Sequence, residues 1–237
     1  MVKWWASILV GIVLLAGCIQ DPRIEELKTQ FDSQSDSANN RWRLQDFEGA
    51  ETGFKKALET LEDLEKIAKD KDLKSYTKDQ KKKVSSAISL INVVKDMLYL
   101  QTLFGEWASA YGSRQCDIAT LKLSEMVFVI SRSESKLDSI NSLISELEVN
   151  STVKGTPLDP DNINKAIDRI EFFSEYVDLI TCIDPICSSP LLVCSTKTCY
   201  QKEKSELLSK SSQFPDLSST DLLNMFTQMD QMYLLCR

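Results

Sequence analysis

Chain breakers are scarce in this sequence: seven glycines and six prolines in 237 residues, with the prolines near apparent segment boundaries. A chain so short of sharp-turning residues builds long helices more readily than a turn-rich sheet. The apolar residues agree. Phe47, Ala50, Phe54, Ala57, Leu58, Leu61, Leu64 and Ile67 keep a 3.6-residue period, and the pattern predicts helix throughout residues 41–70. Ile163, Ile167, Ile170, Phe173, Val177 and Ile180 form the cleanest amphipathic run. Asp159 caps it, and Pro160 takes the first helical position, where a missing N–H costs nothing.

Two long segments lie between these runs. The first, about Asp79 to Tyr111, starts its stripe with Val84, Ile88, Ile91 and Val94 and widens it with Leu98, Leu100, Leu103, Phe104, Trp107 and Tyr111. As a helix it spans roughly 50 Å at 1.5 Å per residue. The second, Asp117 to Leu147, turns back, with Leu137, Ile140, Ile144 and Leu147 in period. Its "MVFVI" (126–130) has strand-like branching, but its flanks are helical. The expected fold is therefore all-α: a bundle of antiparallel helices around a long central hairpin. A short helix is expected over 21–31 (Ile24, Leu27, Phe31), a loop or hinge over "DSQSDSANN" (32–40), and a loop over "VNSTVKGTPLDPDN" (149–162). A cysteine-rich loop (182–199), a short helix around 201–210 and a last helix from about Thr220 complete the reading. That last helix carries Leu222, Phe226, Met229, Tyr233 and Cys236 on one face.

The N-terminus has a basic Lys3 and an uncharged run from Trp4 to Leu15, too short to cross a bilayer, which takes about 20 residues. It has the shape of a secretory signal. Leu15-Ala16-Gly17-Cys18 resembles the lipobox of prokaryotic lipoproteins. That resemblance implies cleavage before Cys18, a lipid of the palmitate type on its thiol, and a body held at the extracytoplasmic face of the cell membrane. The expected organisation is a signal peptide over 1–17, a lipid-attached short helix and linker over 18–40, and one helical domain over 41–237.

Setting Cys18 aside leaves six cysteines, Cys116, Cys182, Cys187, Cys194, Cys199 and Cys236, an even set for an oxidising compartment. Cys182, Cys187, Cys194 and Cys199 form two C-x4-C pairs. Zinc spacing is usually tighter, and no histidine is present to assist, so disulfides stapling the loop are expected rather than a metal. The expected connectivity pairs the two motifs with each other and Cys116 with Cys236, the latter bond contributing about 3–5 kcal/mol in the entropic account.

Asp46-Phe47, Ala50, Phe54 and Ala57-Leu58, with Ala38 before them, resemble a helical hairpin of a tetratricopeptide repeat over residues 38–61. Gln34 and Ser37 stand at apolar slots of that pattern, Glu62 stands at its proline, and no second copy follows. The resemblance implies binding of a partner protein.

Chemistry-bearing patterns are few. The absence of histidine removes the commonest general base, and no nucleophile elbow, phosphate loop or dinucleotide fingerprint appears. "DPDNIN" (159–164) lacks the glycine and glutamate of a calcium loop and reads as a helix cap. Met225, Met229 and Met232 read as core filler, and Lys81 to Lys83 as a solvated helix start. Asn150-Ser151-Thr152 is an N-glycosylation acceptor in a predicted loop. A net charge of −7 disfavours nucleic acid, whose binding comes largely from neutralising phosphates. The functional expectation is a lipid-anchored protein-binding scaffold or assembly factor, without enzyme activity, cofactor or metal. The alternative is a small-ligand or solute-binding lipoprotein with its pocket near Phe104, Trp107 and Tyr111.

Overall fold

The computed structural model describes residues 21–146, 155–211, 220–234 and 236. Seven α-helices account for nearly all of them: α1 Pro22–Arg43, α2 Phe47–Ile67, α3 Lys71–Gly112, α4 Cys116–Glu146, α5 Pro160–Ser188, α6 Val193–Ser211 and α7 Thr220–Tyr233. A 3-10 turn, Pro190–Leu192, separates α5 from α6, and no strand occurs among the described residues. The all-α expectation holds. Within the expected 41–237 helical region the chain divides into two compact units, one up to Ile88 and one from Ser89 onward. The boundary falls inside α3, where no break in periodicity marks it.

In the first unit, α1 and α2 form an antiparallel hairpin. Asp21 caps α1, its carboxylate accepting from the Arg23 N–H at 3.1 Å, and Pro22 occupies the first turn. The helix then runs straight through 32–40, overturning the expected loop or hinge. That stretch is polar, yet its contacts to α2 are specific. Ala38 is fully buried against Gly53, where an added Cβ would lie 2.9 Å from the Ala38 Cβ. The Thr60 hydroxyl donates to Gln34 Oε1 at 2.8 Å.

The continuous helix expected over 41–70 is interrupted instead at Leu44–Asp46. Gln45 adopts a left-handed φ of 60°, and Asp46 restarts the helix by accepting from the Gly49 N–H at 2.9 Å while Arg41 pairs with it at 3.0 Å. α3 begins at Lys71, earlier than the periodicity indicates. Asp70 caps it by accepting from Leu73 N–H at 2.7 Å, and Leu73 and Thr77 are buried.

In the second unit, the rest of α3 and α4 make the long hairpin. Its turn carries Arg114 at a φ of 56°. Asp96, nearly buried, ties the pair: Arg132 donates to both of its oxygens, Lys136 at 3.0 Å and Ser133 at 3.2 Å. By length and composition α3 is apolar enough to cross a membrane. Leu90, Ile91, Val93, Leu100 and Leu103 are nonetheless fully buried in protein, as in a core helix.

α5 starts as expected, with Asp159 accepting from the Asp161 N–H at 3.2 Å. The cysteine-rich segment 182–199 is mostly helix and not a loop: α5 continues through Pro185 to Ser188, because Cys182, Ile183 and Ile186 extend its buried face. All six cysteines pair, as Cys116–Cys187, Cys182–Cys199 and Cys194–Cys236, with Cα–Cα distances of 5.6, 5.8 and 5.3 Å. One bond joins the two motifs, but the expected Cys116–Cys236 pairing is replaced. Cys116 opens α4 opposite the end of α5, whereas α7 returns along α6 and brings Cys236 to the start of that helix. Cys18 and the lipobox lie outside the described residues, as does Asn150.

Candidate partner-docking face of the central hairpin

Phe104, Trp107 and Tyr111 pack against α5. The Phe104 ring lies 4.4 Å from that of Tyr176 and 5.5 Å from that of Phe173. Trp107 donates its Nε1–H to Asp184 Oδ1 at 3.4 Å, and Thr120 donates to Oδ2 at 2.8 Å. Tyr111 donates to the Ile183 carbonyl at 3.3 Å. Burial, with Tyr233 and Asp184 nearby, pushes its phenol up to about 12. Asp184 therefore gathers side chains from α3 and α4 onto α5, three residues from Cys187, which bonds to Cys116. The sequence indicates the aromatic group; it does not indicate the buried aspartate that organises it.

The opposite flank of the hairpin carries exposed apolar side chains. On α4, Ile118, Leu121 and Phe128 are 46%, 64% and 64% exposed. They lie along one stripe turned away from the buried Ala119, Met126, Ile130 and Ser133. On α3, Leu98 and Tyr99 are also exposed, and Thr102, Gly105 and Ser109 continue the Leu98 stripe at helical spacing. Between the helices runs a groove of about 560 Å³, lined by Gly105, Glu106, Ser109, Gln115, Ile118 and Lys122 among others. A Cβ placed at Gly105 would meet nothing within 4 Å, so the glycine leaves free space.

Polar bridges hold the groove walls together. Lys122 pairs with Glu106 at 2.7 Å and with Glu125 at 3.3 Å, and Tyr99 donates to Glu125. The Tyr99 hydroxyl and then Lys122 hold the Glu125 carboxyl below its usual range. Arg132 lies over the Phe128 ring, 5.6 Å from its centre. Sequence periodicity missed this stripe, since "MVFVI" reads as uniformly apolar. The available signal was angular: Leu121 and Phe128, seven residues apart, fall outside the sector of the core residues.

A second charged feature sits where α5 meets α6. Carboxylate oxygens of Glu175, Glu203 and Glu206 lie within 4.8 Å of one another. Lys210 pairs with Glu175 at 2.8 Å and Lys202 with Glu203 at 2.7 Å, so the seam carries its own counter-charge. Partial desolvation, then Glu203 and Glu175, raise the Asp178 carboxyl above 3.8; partial desolvation, then Asp138 and Asp178, raise Glu134 above 4.5. For a carboxyl raised by folding, the native state binds the proton more tightly than the unfolded chain does, so stability increases as pH falls through the folded value. On acidification the thermal midpoint of the parent protein should therefore rise relative to that of the D178N/E134Q variant, because only the parent carries the two raised carboxyls. A parent-minus-variant difference that falls on acidification would contradict this.

Comparison with protein-family models found no match, and none emerged from the curated proteins or from the solved structures.

Proposed function

We propose that this chain is a lipid-anchored protein of the extracytoplasmic membrane face that binds a partner protein through the outer side of the α3–α4 hairpin. The lipobox-like Leu15-Ala16-Gly17-Cys18 supports the anchor. Complete pairing of the remaining six cysteines supports an oxidising location. The single observation that carries the docking assignment is the exposed stripe Ile118, Leu121 and Phe128 beside Leu98 and Tyr99. Exposed large apolar side chains grouped on one face among polar bridges are characteristic of interaction sites. Its chemistry fits an amphipathic helix, because the seven-residue interval between Leu121 and Phe128 matches the repeat along which two helices keep contact.

A photo-crosslinking residue at Leu121, activated in intact membranes, tests the reading. One recurrent protein adduct is expected, and Phe128→Asp should abolish it while helical circular dichroism stays unchanged. Adducts only between copies of this chain, or an adduct indifferent to Phe128→Asp, would overturn the docking assignment. In the same preparation Cys18→Ser should move the protein out of the membrane fraction; retention there would overturn the anchor separately.

A further inference from the structure

Among the described residues, α7 is attached through a compact set of groups that ends in a covalent bond. Of its described side chains Phe226, Met229 and Tyr233 are buried, and the Tyr176 hydroxyl of α5 donates to Met225 Sδ at 4.0 Å. Tyr233 stacks on Tyr200 with ring centres 4.8 Å apart, and its hydroxyl meets that of Thr196 at 2.8 Å. Tyr200, itself 1% exposed, donates to Asp230 at 3.0 Å, and Lys204 pairs with the same carboxylate. Beyond the helix Cys236 bonds to Cys194, and its carbonyl accepts from Lys197 at 3.0 Å. Ordering a fourteen-residue helix costs conformational entropy at every residue, whereas transfer free energy returns mainly from the side chains it buries. The Cys194–Cys236 bond adds a covalent tie at the end of α7 to these contacts.

The three disulfides differ in accessibility. Cys182 is buried, which shields Cys182–Cys199 from one side, and Cys116 and Cys187 are both half-buried. Cys194 and Cys199 are both exposed residues of α6, but Cys199 is bonded to the buried Cys182 whereas Cys194 is bonded to the half-buried Cys236, so Cys194–Cys236 combines an exposed residue with no buried one. The bonds also differ in what they hold. Cys116–Cys187 and Cys182–Cys199 each join helices that pack beside Asp184 or along α5, whereas Cys194–Cys236 holds only the chain end.

We infer that Cys194–Cys236 is a redox latch, opened by a dithiol reductant, that releases α7 and uncovers the Tyr200 and Thr196 surface of α6. In the exchange, a thiolate of the dithiol attacks Cys194 Sγ, the Cys194–Cys236 bond breaks, and Cys236 leaves as a thiolate that takes up a proton. The second thiol of the reductant then attacks the mixed disulfide, freeing Cys194 and leaving the reductant oxidised. Two electrons and two protons pass to the protein. Lys197, one turn after Cys194, donates to the backbone carbonyl of Cys236, the residue whose sulfur departs. Reoxidation reverses the sequence and returns α7 to its place.

The test uses the full chain titrated with dithiothreitol, alkylated with iodoacetamide, mapped by peptide mass and followed by amide hydrogen exchange. Cys194 and Cys236 should be alkylated before Cys116, Cys182, Cys187 and Cys199. Exchange over residues 220–233 should then accelerate by about tenfold or more, with α5 unchanged. Earlier opening of either other disulfide, or an α7 still protected once Cys194–Cys236 is open, would overturn the inference. The C194S/C236S variant gives a second reading without reductant: the same accelerated exchange in α7 with full helical signal. Loss of helical signal across the chain would also overturn it, because the bond would then be a global staple.

Discussion

Replacing Cys116 and Cys187 together by serine is expected to lower the stability of the unit that begins at Ser89 by about 4 kcal/mol, the entropic value for a bond spanning 71 residues. The location adds to that figure's significance. The bond joins the first residue of α4 to the last turn of α5, and Asp184, three residues earlier, receives Trp107 from α3 and Thr120 from α4. Without the tie, the end of α5 must be ordered by those hydrogen bonds and by the burial of Ile183 and Ile186. Denaturant unfolding followed by far-ultraviolet circular dichroism measures the change. A loss below about 1 kcal/mol would show that helix packing alone holds this end of the hairpin, and the entropic account would fail here.

Ala38→Leu should produce the second large effect, confined to the other unit. The α1 and α2 backbones approach so closely that even a Cβ at Gly53 would fall 2.9 Å from Ala38. A leucine there has no room, and overpacking of this kind costs about 1–3 kcal/mol, more where backbone faces it. Hydrogen exchange over residues 22–67 is expected to rise by a factor of ten or more, since about 1.4 kcal/mol corresponds to one decade. Residues of α5 should keep their protection, because they belong to the separate compact unit. Ser37→Leu, at the exposed neighbouring position, is the control and should change stability by no more than about 0.5 kcal/mol. Equal loss of protection in α5 would show that the two units unfold as one.

Much of the architecture was readable from residue pattern. Period and cap chemistry located α5 from Asp159 and Pro160, and the apolar runs located α2, most of α3 and α4 to within a few residues. The errors have a common cause. Residues 32–40 look like a loop because their side chains are polar, and only the fit of Ala38 to Gly53 and of Gln34 to Thr60 explains the helix there. The turn at Gln45 was hidden because a non-glycine residue adopts the left-handed conformation, which sequence rarely announces. Residues 182–199 look like a loop because cysteine, serine and proline cluster there, yet burial of Ile183 and Ile186 carries the helix past Pro185.

The docking face shows the same division. Leu121 and Phe128 look like core residues by composition, and their exposure follows from which sector of α4 faces α3 and α5.

The amino-acid order alone was enough to determine the helical class and the even set of six cysteines, since periodicity and stoichiometry are local or countable properties. Which cysteine meets which, which apolar stripe is covered and where one compact unit gives way to the next belonged to the tertiary structure. Each of those depends on groups far apart in the chain being brought within a few ångströms, and no local propensity encodes that distance.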